Sequence, residues 1–311
     1  MNKKIDKKFK LNTNIIFLFS IVTVPLALLK YADILSKDFL STAICLFLIL
    51  TVGTSHGALD NIKGNKILKY YKINNKIVFY LSYVLIALFI IIIWSIFPSI
   101  ALSLFLIIAA YHFGKEDCWG IPIKKNVFLP FIFFFKGSLI IWVPLLLSFD
   151  ETVLIFNTLG IKNLEFYSFL NYIKNNEIIL ILVVLSILSN FLINLHPKYL
   201  AQYTWEILLI ILLYDVFNPL IAFTIYFCFL HSIRHSASLI HELNINIKQF
   251  IKKALPLTIL TAIFFLIGLY VLTGFQKVDI NSSIISVIFI GLASLTFPHI
   301  LLEYLIEKNE K

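Results

Sequence analysis

Residues 77–97 read IVFYLSYVLIALFIIIIWSIF, a stretch without one charged side chain. As a helix rising 1.5 Å per residue it reaches about 30 Å, the thickness of a bilayer's hydrocarbon core. Inside that medium every backbone N–H and C=O must find its partner within the segment, so the segment is helical. Runs of the same kind lie on both sides of it, at 14–30, 39–58, 99–114, 127–148, 178–195, 202–216, 219–241, 255–274 and 284–305. The expectation is an all-α polytopic membrane bundle of about ten spanning helices, and no fewer than about eight. All of 1–311 forms a single transmembrane domain. The stretch 149–176 fits none of these runs and is expected to hold an interfacial helix.

The whole chain agrees with its most apolar segment. Hydrophobic residues make up 60% of it and charged residues 14%, and its mean hydropathy is +0.92. No sizeable soluble domain fits beside such a bundle. The net charge of +9 is carried by lysines in short loops, with no basic groove or interleaved aromatics of a nucleic-acid surface. Cys45, Cys118 and Cys228 lack CxxC spacing and read as small buried hydrophobes. The lysine-rich start and the run at 15–29 lack a small-residue cleavage site, so an uncleaved first helix is expected.

Loop lysines set the orientation. One face collects the N-terminal lysines, those from Lys63 to Lys76, and Lys115, Lys124, Lys125, Lys198, Lys248, Lys252, Lys253, Lys308 and Lys311. The opposite face has only Lys30, Lys37, Lys162, Lys174 and Lys277. The positive-inside rule then puts both termini in the cytoplasm of a cell that carries the protein in its inner or plasma membrane.

Within this frame the histidines stand out. Of seven, the five at positions 56, 112, 231, 235 and 299 fall in the second, fourth, eighth and tenth runs or near their ends, and these runs all travel from outside to inside. His56 and His112 end their runs; His231 and His235 lie about 18–24 Å along the eighth and His299 about 22 Å along the tenth. A common depth in the cytoplasmic half follows. Intramembrane polar groups mark function by default, and His231 and His235 at i and i+4 project from one helix face as a pair of imidazoles can around one ion. His56 precedes Asp60, and His112 precedes Glu116, by the same spacing, so that a carboxylate could fix an imidazole's outer N–H. His56, His112, His231 and His235 are the candidate ligands. Asp60, Glu116, Asp117, Arg234 and His299 are candidates for the surrounding shell. Arg234, the chain's single arginine, is expected to pair with a buried carboxylate such as Glu303 or Asp60. Tyr111, Phe113, Trp119, Phe227 and Phe297 flank the histidines as candidate pocket walls, and Gly57 and Gly114 are expected to relieve crowding between ligand helices.

Four segments carry a resemblance: GTSHGALDNIKG at 53–64, AAYHFGKEDCWG at 109–120, FLHSIRHSASLI at 229–240 and, more loosely, LTFPHILLEYL at 295–305. In that order they resemble the Brp/Blh family of integral-membrane β-carotene 15,15'-dioxygenases, which cleave β-carotene to retinal, and the similarity spans nearly the whole chain. The resemblance implies a non-haem Fe(2+) held by His56, His112, His231 and His235, with His299 in the second shell or pocket wall. It also implies a lipid-soluble carotenoid and O2 as substrates. Imidazole suits iron, and a polyene offers no carbonyl or acidic proton for hydrolytic chemistry. A polytopic transporter or metal permease is the alternative outside enzymes; it would want polar groups through both leaflets, and here the outer half is nearly bare. A His-box desaturase or hydroxylase would need more histidines in HxxHH clusters, and a prenyltransferase would need DDxxD motifs that this chain lacks.

Overall fold

The computed structural model describes residues 3–36, 38–123, 126–193 and 196–309, and the side chains of these apart from residues 3–5 and His56. Lys37, Lys124, Lys125 and Lys311, used above to orient the chain, lie outside the described residues. Helices dominate and there is no strand among the described residues. Eight of them are long and apolar enough to cross a membrane, or nine when one bent pair is taken as a single span.

In chain order the helices are α1 (Lys3–Tyr31), α2 (Thr42–Tyr70), α3 (Ile77–Ile96) and α4 (Pro98–Glu116). Then come α5 (Leu129–Leu147), α6 (Phe149–Thr158), α7 (Leu164–Asn175), α8 (Ile178–Ile193) and α9 (Pro197–Val216). The last three are α10 (residues 219–242), α11 (Ile247–Phe275) and α12 (Ile280–Asn309). Their starts follow local chemistry. The Asn218 side chain accepts from the Ile221 N–H at 3.0 Å just ahead of Pro219, and Asn246 and Gln249 form a reciprocal capping box, satisfying N–H groups that an α-helix leaves unpaired.

Three expectations are corrected by the architecture. The region 149–176 holds two helices, α6 and α7, and α7 meets α8 at a 73° bend. The second run continues past residue 58: α2 goes on to Tyr70 after a π-helical stretch at Ile49–Gly53 and a 3-10 stretch at Thr54–Leu59. The eighth run exists as the helical stretch α10, but it is not among the eight spans. Three histidines and an arginine lower its hydropathy, and it earns its place by being surrounded: Arg234 and Leu230 are 0% exposed. Hydropathy measures affinity for lipid, and a helix enclosed by other helices is released from that requirement.

Packing is closest between α4 and α5. A Cβ on Gly114 would overlap the carbonyl oxygen of Phe133, and one on Gly137 would overlap that of Ala110; small residues let two membrane helices bring their backbones together. Gly57 has no such role, since a Cβ there would meet nothing within 4 Å. The long α12 packs against α2, α3 and α11, while α1 runs along α9.

Candidate metal centre

Three helices deliver histidines to one buried locus. His112 sits near the C-terminal end of α4, His231 and His235 on α10, and His299 past the middle of α12. All four are buried, between 1% and 6% exposed. The His112 ring centroid lies 5.5 Å from His231, 6.2 Å from His235 and 5.2 Å from His299. His235 and His299 are 5.4 Å apart, and His231 and His235 6.5 Å. Four of the five histidines expected at a common depth are therefore brought together. Local backbone assists: His231 lies in a π-helical stretch, Phe227–Ser232, and such widened turns recur at functional sites because they re-aim side chains within a helix.

One carboxylate orients a ring and two more stand close to others. Nδ1 of His299 lies 2.8 Å and 3.0 Å from the two oxygens of Asp60, and the Tyr83 hydroxyl donates to Asp60 at 3.0 Å. The spacing of Asp60 leaves open an imidazole on its own helix or one across the bundle, and the carboxylate reaches His299 on another helix. Nδ1 of His231 lies 3.5 Å from Asp117. Glu116 stands 3.7 Å from His235 Nε2. With Nδ1 of His299 engaged, its Nε2 is the nitrogen that would face a metal, as metal-binding imidazoles require.

Donor chemistry fits a cation. One ligand atom each from His235, His299 and Glu303 lie within 4.8 Å of one another, a separation that one ion can bridge with little adjustment. The same Glu303 also pairs with Lys63. His56 belongs to the 3-10 turn Thr54–Leu59, and its neighbours Thr54 and Gly57 line the cavity that reaches His112, His231 and His299. Its side chain lies outside the described residues.

Behind the histidines sits a charge network larger than the sequence suggested. Arg234 was expected to pair with Glu303 or Asp60; instead its guanidinium reaches Asp117 at 2.7 Å and Glu206 at 2.6 Å, and its Nε donates to Asn12 at 2.8 Å. Tyr226 donates to Asp117 at 2.7 Å. Lys136 donates to Asn190 at 2.7 Å, lies 3.5 Å from Glu206 and sits over the Tyr203 ring at 5.0 Å. Two cations thus face two carboxylates in the core, and such buried charges persist only when paired and hydrogen-bonded. Glu206, Lys136 and Asn190 escaped the sequence reading. The signal was present, since each interrupts an apolar run, but no motif surrounds them.

Of the aromatic candidates, two line the site. Phe227 stacks on His231 with ring centroids 5.8 Å apart at 14°, and Phe113 meets the same ring edge-on at 4.4 Å. Tyr111 packs against Phe133 in another cluster, and Trp119 beside His241 and Lys8. Phe297 packs on the main core. None of these three is on the cavity wall: Tyr111 is turned about 100° from His112 and Phe297 about 200° from His299 on their helices, and Trp119 lies beyond the end of α4.

That cavity has a volume of about 550 Å³, within the range that holds a small organic ligand. Its walls come chiefly from α3, α11 and α12 and are mostly apolar, from Phe79 and Trp94 to Phe265 and Leu292. Asp60, His112, His231 and His299 give it one polar end.

Comparison with known proteins places this geometry in context. The family model described as Beta-carotene 15,15'-dioxygenase matches residues 47–307. A relative from an uncultured marine bacterium 66A03, named Beta-carotene 15,15'-dioxygenase, is 29% identical over 267 residues, covering 83% of this chain and 90% of the relative. No solved structure matches the chain.

Proposed function

The chain belongs to the β-carotene 15,15'-dioxygenase family, and on that footing we propose that it cleaves the central double bond of β-carotene or a related carotenoid with O2, yielding retinal. One C=C bond is broken and two C=O bonds form, so both oxygen atoms of O2 end in the aldehyde products. One observation carries the reading: His112, His231, His235 and His299 converge from three helices, and His112, His231 and His299 line one end of a mostly apolar cavity. A transporter would need charged or strongly polar groups along a path through the bundle, whereas the carboxylate and imidazoles on this cavity's wall gather at one end.

The proposed ligands of Fe(2+) are His112, His231 and His235, with His299 joining them on geometry and His56 on family resemblance. Iron, once bound, supplies the electron transfer that lets triplet dioxygen react with a closed-shell polyene. The chain's own residues do the rest. Asp60 holds the His299 imidazole in one tautomer and one direction, and Asp117 stands close to His231. Phe113 and Phe227 wall His231 with apolar surface, which keeps water from the reacting carbons and favours the polyene there. The Arg234 network fixes Asp117 and, through it, His231 on α10. In this reading both termini are cytoplasmic, the membrane is the cell's inner or plasma membrane, and the site lies in the cytoplasmic leaflet.

Expression in a β-carotene-producing cell tests the activity. Loss of orange colour with retinal accumulating supports it, and unchanged pigment with well-expressed protein refutes it. Iron content of His56→Ala and His299→Ala then decides the ligand set: a true ligand's loss empties the site, and a wall residue's loss leaves about one iron per chain.

A further inference from the structure

The cavity is not closed on the side facing the bilayer. Helices α3 and α11 each pack against α12 but make little contact with one another, so a gap runs between them above α12. Val84, Leu88 and Ile91 of α3 line the cavity, as do Leu260, Phe264 and Ile267 of α11. Each of the six is also exposed, from 40% at Ile91 to 57% at Phe264. The spacing is four then three residues on both helices, which puts each trio on one helix face. A side chain that both walls a cavity and meets the surroundings is a lip. Two apolar lips of three residues define a slit along the helices.

The slit has a length as well as a direction. Its inner end is marked by Tyr83, bonded to Asp60 beside His299, and its far end by Trp94, also on the cavity wall. Eleven residues of α3 separate them, about 16 Å along the helix. A carotenoid is about as long as the hydrocarbon core is thick, about 30 Å, so one arm from the central bond fits this length.

We propose that the gap between α3 and α11 is a lateral portal, through which a carotenoid dissolved in the membrane slides lengthwise into the site and the aldehydes leave. The inference rests on the carotenoid reading given above. It follows from continuity: the slit joins the hydrocarbon of the bilayer to the histidines without an aqueous step. Water between membrane and site would oppose transfer of so apolar a molecule, and six apolar lip residues offer no polar barrier.

Bridging the lips tests the portal. Leu88→Cys with Phe264→Cys adds two exposed thiols, while Cys45, Cys118 and Cys228 are buried. The protein in vesicles is bridged with a reducible bifunctional thiol reagent and mixed, without O2, with vesicles containing β-carotene. Uptake is followed by the induced circular dichroism of the polyene, which needs no turnover. Bridging should slow uptake about tenfold, and reduction should restore it. Uptake at the unbridged rate overturns the portal. Where the thiols fail to bridge, Leu88→Trp with Phe264→Trp serves instead: narrowing should raise KM for vesicle-borne β-carotene at least about threefold while kcat is retained, and an unchanged KM overturns the portal. No carotenoid signal even in the unmodified protein refutes the carotenoid reading itself, and a signal displaced equally by phospholipid acyl chains makes the slit a lipid site.

Discussion

Replacing Asp60 by asparagine isolates what one carboxylate does for the histidine cluster. Asp60 receives the Tyr83 hydroxyl at 3.0 Å and contacts His299 Nδ1 with both oxygens, at 2.8 and 3.0 Å. Asparagine keeps the shape but has one acceptor oxygen. If that oxygen faces His299, the amide N–H₂ faces Tyr83; in the opposite orientation it confronts the imidazole N–H. The charge is lost in either case, and hydrogen bonds to an ionised group are about twice as strong as neutral ones. Loss of an outer-shell partner lowers metal affinity or activity about 10–100-fold, equivalent to about 1.4–2.7 kcal/mol. Asp60→Asn should therefore fold, bind iron more weakly by that factor in an equilibrium metal titration, and recover much of its activity in excess Fe(2+). An affinity equal to the unaltered protein's would refute the orienting role. A loss beyond rescue, matching His235→Ala, would make Asp60 a direct ligand.

Other perturbations address the frame around the site. Arg234→Leu leaves Asp117 and Glu206 without their guanidinium and should cost about 3–5 kcal/mol, read as a lowered Tm in detergent and poor folded yield; Arg234→Lys should lose stability too, because one ammonium cannot serve Asp117, Glu206 and Asn12 at once. Gly114→Ala should disrupt the α4–α5 contact and reduce folded protein, whereas Gly57→Ala should be tolerated, since a Cβ there meets nothing within 4 Å; equal effects in a thermal-shift measurement would contradict the packing. Reporter fusions after Lys253 should report cytoplasm and one near Lys277 the other side; the reverse result inverts the proposed orientation.

Residues 77–97 were enough to announce a helical membrane bundle, because a charge-free stretch of that length has one stable state in lipid. The locus of His112, His231 and His235 was legible too: alternating helix directions turned sequence position into depth. Partners across the bundle were not. Asp60 is four residues from His56 and bonds His299 on α12, and Arg234 passes over Asp60 and Glu303 for Asp117 and Glu206. Periodicity gives the face of a helix but never its neighbour, and Glu206 carries no motif to betray it. The same limit explains Tyr111, which borders His112 in the chain and packs into another cluster.

The buried pairing of Arg234 also bears on how the protein is made. The stretch 219–242 is missing from the segments apolar enough to cross a membrane, so a translocating ribosome would deliver a helix that lipid alone does not retain. Its two carboxylate partners, Asp117 beyond α4 and Glu206 on α9, are synthesised before it, as is Asn12 on α1. By the time Arg234 emerges, the groups that neutralise it are already waiting in the membrane. Insertion of the tenth helix, and of His231 and His235 with it, should therefore depend on Asn12, Asp117 and Glu206 being in place first.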